Sequence, residues 1–271
     1  MQTPEQIREH YEIEKGLADQ LRRSDKTDRA LLYPRLYDEL MRRVPHHPML
    51  QRRSDARERA AAVAVRMGLV GRFLRSDTVF LEVGAGDCTF TREVAQRVKR
   101  CYAIDVSREL VELGGPSNMQ TILSDGCSIP VPEASVTLAY SNQLMEHVHP
   151  DDAFEQLCNL YRALVPGGRY VCTTPNRLNG PHDVSQHFDT VASGFHLKEY
   201  TYTELAALFH GIGFRRLAPY AELRLHYVRV PLALLVAFEW LLERLPRSVS
   251  RRIAKLPVIR KLLFISLVAT K

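Results

Sequence analysis

Apolar residues recur at helical spacing from the start of the chain. Ile7, Tyr11, Ile13, Leu17 and Leu21 stand among charged neighbours and predict an amphipathic helix. Leu31 to Val44 continue the pattern, Pro45 and Pro48 interrupt it, and the Ala- and Arg-rich stretch Ala56 to Phe73 resumes it. From Thr78 the pattern changes to short apolar runs alternating with helical stretches, which is how a parallel sheet wrapped by helices reads. Strands are predicted at Thr78–Val83, Arg100–Asp105, Met119–Leu123, Val136–Ser141, Gly168–Thr173 and Phe214–Tyr220. Helices fall between them at Thr91–Val98 and Ala153–Leu164, the second closed by Pro166-Gly167-Gly168.

Beyond Ala221, the stretch Pro231–Leu245 is apolar but carries Glu239 and Glu243 and stops at Pro246, short of the roughly 20 apolar residues that a membrane span needs. A basic segment, Arg247–Lys261, follows, and the apolar run Leu262–Thr270 predicts a final strand. The chain therefore divides into an N-terminal helical cap, 1–75, and an α/β core, 76–271, with a basic helical insertion at 221–261. Tyr33, Tyr37, His46 and His47 of the cap are candidates either for a pocket lining or for packing.

Composition narrows the class. Charged residues make up 25% and apolar ones 45% of 271 residues, which is ordinary globular usage. The net charge of +6 is concentrated at one end. From Arg215 onward, 12 Lys and Arg face only Glu222, Glu239 and Glu243, so the rest of the chain is mildly acidic. That distribution, without a basic groove interleaved with aromatics, points away from nucleic acid and toward a peripheral membrane contact at the C-terminal end. The five cysteines form no C-x-x-C pair and Met1–Arg23 lacks an apolar signal core, so a reducing, cytoplasmic setting is expected.

In open α/β sheets ligands bind beyond the carboxyl ends of the strands, so the residues after each run carry the chemistry. The first strand ends in Glu82-Val83-Gly84-Ala85-Gly86-Asp87-Cys88-Thr89. Glycines here let the backbone approach a ligand. A dinucleotide fingerprint would need a small residue where Thr89 stands, and Glu82 suits a cationic ligand better than a pyrophosphate, which argues against a dehydrogenase. Asp105 ends the second strand 19 residues after Gly86 and can accept from two ribose hydroxyls. Asp125, followed by Gly126, ends the third and can accept from an exocyclic amine, with Ile104, Val106 and Cys127 as apolar faces for a base. Both aspartates suit turn formation equally well.

These motifs, with the run Tyr140–Val148 and Leu164-Val-Pro-Gly-Gly-Arg169, resemble the class I S-adenosylmethionine-dependent methyltransferases, particularly the broad group of ubiquinone-pathway and sugar O-methyltransferases. The resemblance covers roughly Arg75 to Tyr220. It implies a Rossmann-like, seven-stranded, mostly parallel sheet with helices on both faces and a reversed last hairpin. It also implies S-adenosylmethionine as cofactor, with Gly84 and Gly86 against its methionine part, Asp105 on the ribose and Asp125 on the adenine. The sequence departs from the family at Cys88, where a third glycine is usual.

Methyl transfer to a hydroxyl is an in-line displacement helped by alignment and by a base. After the fourth strand, Asn142 is expected to border the cofactor and the Glu146-His147 pair the acceptor, with His147 the first base candidate. His182 beside Asp183 is the second, in the loop Thr174–His196 that also holds Arg177, His187 and His196. Each histidine has an equally plain structural use in fixing its loop. Ubiquinone-pathway relatives resemble this stretch with E-x-x-E-H; here Gln143 takes one carboxylate position, so no dedicated metal site is expected. The expected function is O-methylation of a small hydroxylated acceptor such as a sugar or glycolipid. A quinone-like phenol is the alternative, and a cofactor-binding protein without catalysis is a third reading.

Overall fold

The computed structural model describes residues 2–48, 50, 55–107, 115–223 and 226–271. Arg224 of the insertion at 221–261 lies outside them. Every predicted strand forms: β1 Val79–Val83, β2 Arg100–Asp105, β3 Met119–Leu123, β4 Val136–Asn142, β5 Leu164–Thr174, β6 Arg216–Leu223 and, last, Ile265–Thr270. One further strand, β7 (His226–Arg229), precedes that last one, which is therefore β8. The sheet has eight strands in the order β3-β2-β1-β4-β5-β8-β6-β7, not seven. β7 escaped the sequence reading because it is a short, largely exposed edge strand with no apolar run.

β3, β2, β1, β4 and β5 are mutually parallel, and β8 enters antiparallel between β5 and β6. Strand order reverses between β1 and β4, which opens a crevice at their carboxyl ends. The helices are α1 Pro4–Arg23, α2 Lys26–Arg43, α3 Ala56–Val70, α4 Thr89–Ala95, α5 Pro150–Ala163, α6 Tyr202–Ile212, α7 Leu232–Arg244, α8 Arg247–Ala254 and α9 Pro257–Leu263. Local chemistry sets their starts. Thr3 and Thr201 form capping boxes with Gln6 and Glu204, and Asp25 and Asp55 cap α2 and α3 through their carboxylates.

The first 75 residues serve two places. Leu17, Leu21, Tyr33, Leu36 and Leu40 of α1 and α2 bury one another against Phe195 of the loop after β5. α3 instead lays Leu69 and Val70 on Phe80, Leu138 and Tyr140 of the sheet and Phe90 of α4. A buried charge pair fixes the first two helices to the core: Arg29 donates to Asp152 at 2.6 and 2.7 Å, and the Tyr33 hydroxyl donates to the same carboxylate at 2.8 Å. Burial alone would raise the Asp152 pKa, but Arg29 and Tyr33 outweigh it and hold the carboxyl below its usual value.

The segment 221–261 is mixed rather than purely helical, since it begins with the end of β6 and all of β7. No helix among the described residues is long and apolar enough to cross a membrane.

Candidate active site

The turn after β1 is built as a cradle. Gly84 and Gly86 have φ of +73° and +55°, and a Cβ on Gly84 would stand 3.0 Å from Leu144. Cys88, in the place of the family's third glycine, nevertheless adopts the left-handed conformation, φ 57°, that a glycine would favour. The turn is therefore preserved at the cost of some backbone strain. Glu82 is fully buried beneath it, accepts from the Thr91 hydroxyl and lies 3.9 Å from Arg66. Burial pushes its carboxyl up to about 7.

Asp105 accepts from the Gly86 N–H at 2.8 Å and from the Ser107 N–H at 2.9 Å, so it ties the end of β2 to the glycine turn. Each oxygen keeps a lone pair for a further donor. Val106 beside it packs against the α1–α2 cluster. Asp125 is exposed and folds a turn, accepting from Cys127 N at 2.9 Å and Ser128 N at 2.7 Å. Partial burial raises its pKa, but these N–H donors and the Ser128 hydroxyl outweigh it and lower the carboxyl overall. Gly126 has φ +93°, and the Tyr33 ring comes within 2.8 Å of where its Cβ would be, so the cap closes over the end of β3. Tyr33 is thus a packing residue that also shapes this end of the crevice.

The end of β4 is strained and polar. Gln143 is held at φ +53°, with its buried side-chain N–H group unpaired. The Asn142 side-chain oxygen accepts from Thr173 Oγ1 at 2.9 Å and Tyr140 OH at 3.2 Å. Glu146 is buried, with one oxygen accepting from Thr174 at 2.8 Å and the other unpaired. Burial raises its pKa.

His147 hydrogen-bonds the Phe195 carbonyl through Nδ1 at 3.0 Å, and its ring packs edge-on against Tyr37 and His196. Burial and the His196 charge lower it to about 3, which makes it a weak base. The loop after β5 adds a donor set that sequence spacing does not reveal. His196 Nδ1 meets Glu199 at 2.7 Å, and the His182 N–H donates to the same carboxylate at 2.7 Å. Burial opposes charge on His196, yet Glu199 and Glu146 outweigh it and push it up to about 8. Glu199 falls to about 2 because its histidine partners overcome burial. The donor atoms of Glu146, His147 and His196 lie within 4.8 Å of one another.

His182 and Asp183 part company. The His182 ring reaches Glu199, with Nδ1 3.3 Å from Oε2 but not aligned as a hydrogen bond. Asp183 turns the other way and gathers Ser185 N, Gly194 N and His196 N at 3.0, 2.9 and 3.4 Å. The carboxylate beside His182 is therefore Glu199, which no local motif marks. Arg177 likewise is paired, with Glu243 at 2.7 Å and Glu204 at 3.5 Å.

Beyond the carboxyl ends of β4 and β5, on the α3 side of the sheet, lies a cavity of about 310 Å³. Asn142 and Thr173 form its floor, and Arg66 and Leu69 of α3 one wall. His182 and Asn179, the latter with a buried unpaired side-chain oxygen, and Arg260 and Lys261 of α9 complete it. His147 does not line it.

Residues 81–172 match the family described as a methyltransferase domain. The chain is also similar to a protein of Mycolicibacterium smegmatis named a probable S-adenosylmethionine-dependent methyltransferase, with 29% identity over 136 residues, 49% of this chain and 51% of the relative. The chain thus spans about half the length of the curated relative that it matches. Among solved structures, an S-adenosylmethionine-dependent methyltransferase from Archaeoglobus fulgidus shares the fold at TM-score 0.53 and 15% identity, covering 78% of this chain and 94% of that one. One from Mesorhizobium loti does so at TM-score 0.51 and 15% identity, covering 76% and 98%. The order of motifs around the β1–β4 crevice agrees with the domain match: residues 81–172 carry a methyltransferase domain, and the resemblance to the class I S-adenosylmethionine-dependent methyltransferases holds over that part of the chain.

Proposed function

We propose that this chain transfers a methyl group from S-adenosylmethionine to a hydroxyl of a sugar-like or glycolipid acceptor held in the cavity beyond β4 and β5. The observation that carries the reading is Asn142. It ends the strand that borders the cofactor crevice, and it also lines the cavity that His182 and Asn179 enter. Bound in the crevice, the cofactor supplies an electrophilic methyl carbon on a sulfonium. Gly84 and Gly86 would leave room for its methionine part, Asp105 would accept from its ribose hydroxyls, and the Asp125-Gly126 turn under Tyr33 would bound its base. The cradle that a Cβ would fill at Gly84 and the two spare lone pairs on Asp105 fit that role.

His182 takes the acceptor's hydroxyl proton as the oxygen–carbon bond forms and the methyl carbon–sulfur bond breaks, with S-adenosylhomocysteine as the leaving group. A small rotation aligns Nδ1–H with Glu199, 3.3 Å away, which leaves Nε2 as the acceptor and stabilises the imidazolium. Asn179 and Asn142 offer amide groups to neighbouring hydroxyls.

The C-terminal helices support a membrane-borne acceptor. Leu234, Trp240 and Leu241 of α7 and Val258 of α9 are exposed beside the exposed cations Arg244, Arg247, Arg252 and Lys255. Such a surface suits an anionic bilayer, and Arg260 and Lys261 of α9, with Phe264 just after it, also line the cavity wall.

The test is transfer of labelled methyl from S-adenosylmethionine to a panel of mono- and oligosaccharides, glycolipids and phenols. Sugar labelling is expected. His182→Gln should lower kcat by about 10²–10⁴-fold while leaving S-adenosylhomocysteine affinity unchanged. Labelling of phenols alone would transfer the reading to the aromatic alternative.

A further inference from the structure

We propose that the N-terminal helices hold a divalent first-row transition ion between His10, Glu14 and His47. The site is separate from the cofactor crevice and from the acceptor cavity, and it does not depend on the reading of the reaction. His10 and Glu14 are four apart on α1 and so share a helix face. Both are buried, at 4% exposure each. His47 arrives from the turn after α2, and its ring stacks edge-on to His10 with centroids 4.7 Å apart. Donor atoms of the three lie within 4.8 Å of one another. Tetrahedral ligands at bonds of about 2.0 Å stand about 3.3 Å apart, so closure needs only small side-chain adjustments.

The surroundings are built for these positions. Gln2 donates to the His46 carbonyl at 3.2 Å and the His46 ring meets the Gln6 carbonyl at 3.2 Å, which presses the His46–His47 turn onto α1. The Phe195 N–H donates to Glu14 Oε1 at 2.9 Å and fixes the carboxylate with Oε2 turned toward His10, 2.8 Å away. That approach requires Gly194, where a Cβ would fall 2.2 Å from Glu14 Oε1. Gln2 Nε2 stands 3.4 Å from His10 Nδ1. When His10 Nε2 gives its lone pair to the ion, its proton moves to Nδ1.

Two imidazoles and one carboxylate suit zinc, iron, cobalt or nickel better than magnesium or calcium, and three protein ligands leave a fourth position for water. The ion would tie α1, the turn after α2 and the Phe195 segment together. Phe195 is the residue whose carbonyl orients His147, so the site would hold the cap against the loop beside the acceptor.

The test uses Zn(II) on the full chain washed free of metal with chelator. Calorimetric titration and elemental analysis should find one equivalent bound, and bound zinc should raise Tm by about 5 °C. Glu14→Gln and His47→Ala should each weaken binding at least tenfold; His47 lies on a half-buried turn, so that variant keeps its fold. No binding at micromolar zinc overturns the proposal. Undiminished binding in His47→Ala overturns it too, as does binding lost in His196→Ala and kept in His47→Ala, which would place the ion at Glu146, His147 and His196.

Discussion

The two ends of the crevice are built by different means. On the cofactor side, Gly84, Gly86, Asp105 and Asp125 lie at the carboxyl ends of three successive strands, with partners close along the chain: Gly86 meets Asp105, and Asp125 meets Cys127 and Ser128. On the acceptor side, contacts reach across the chain. Arg29 meets Asp152, Glu14 meets Phe195, and Arg177 meets Glu243. The first side is a property of the sheet and its turns. The second is an assembly of three segments, α1–α2, the loop after β5 and α7–α9.

The comparison predicts where damage spreads. The largest effect is expected for Arg29→Ala, which strips the buried Asp152 of its guanidinium. Urea unfolding should show a loss of about 3–5 kcal/mol, and a loss under 1 kcal/mol would mean that the cap is not held by this pair. Asp105→Ala should weaken S-adenosylhomocysteine binding about 100-fold by calorimetry, while Tm moves by only a few degrees. The opposite split, with stability lost and binding kept, would make Asp105 a brace for the glycine turn alone.

A third test uses Glu82, whose carboxyl burial raises to about 7 from an ordinary value of 4.5. A raised carboxyl favours the protonated folded state. Its contribution to stability is complete below about pH 4.5 and is lost as pH climbs through about 7, by an amount on the order of 3 kcal/mol. Thermal melts should fall across that window in the wild type and stay flatter in Glu82→Gln. The smallest effect is expected at the C-terminal surface. Trp240→Glu with Leu241→Glu should reduce sedimentation with vesicles containing phosphatidylglycerol several-fold, with S-adenosylhomocysteine binding unchanged. Equal sedimentation of wild type and variant would remove the membrane from the acceptor side.

The cofactor end was legible because its signals are local. Alternating apolar runs mark β1 to β5, each bound to register by its own pattern, and a glycine or an aspartate at a strand end says where the backbone turns. Even the exception is instructive: Cys88 hides a left-handed turn that a glycine would have announced, and the structure keeps the conformation without the residue. The acceptor end was only partly legible. His182 stands out in its loop, but the carboxylate next to it in sequence, Asp183, caps the loop backbone, whereas its ring's neighbour is 17 residues away. His147 follows β4 as expected, yet burial makes it a weak base and its Nδ1 is spent on Phe195.

Sequence alone determined seven of the eight strands among the described residues and the mostly parallel class of the sheet, because period and turn residues are encoded within windows of a few residues. Tertiary structure alone decided the eighth strand, the split of the first 75 residues between cap and sheet face, the His182–Glu199 pairing and the His10–Glu14–His47 cluster. Each of these joins side chains whose separation along the chain carries no periodic signal, and only burial of the intervening apolar faces brings them within reach.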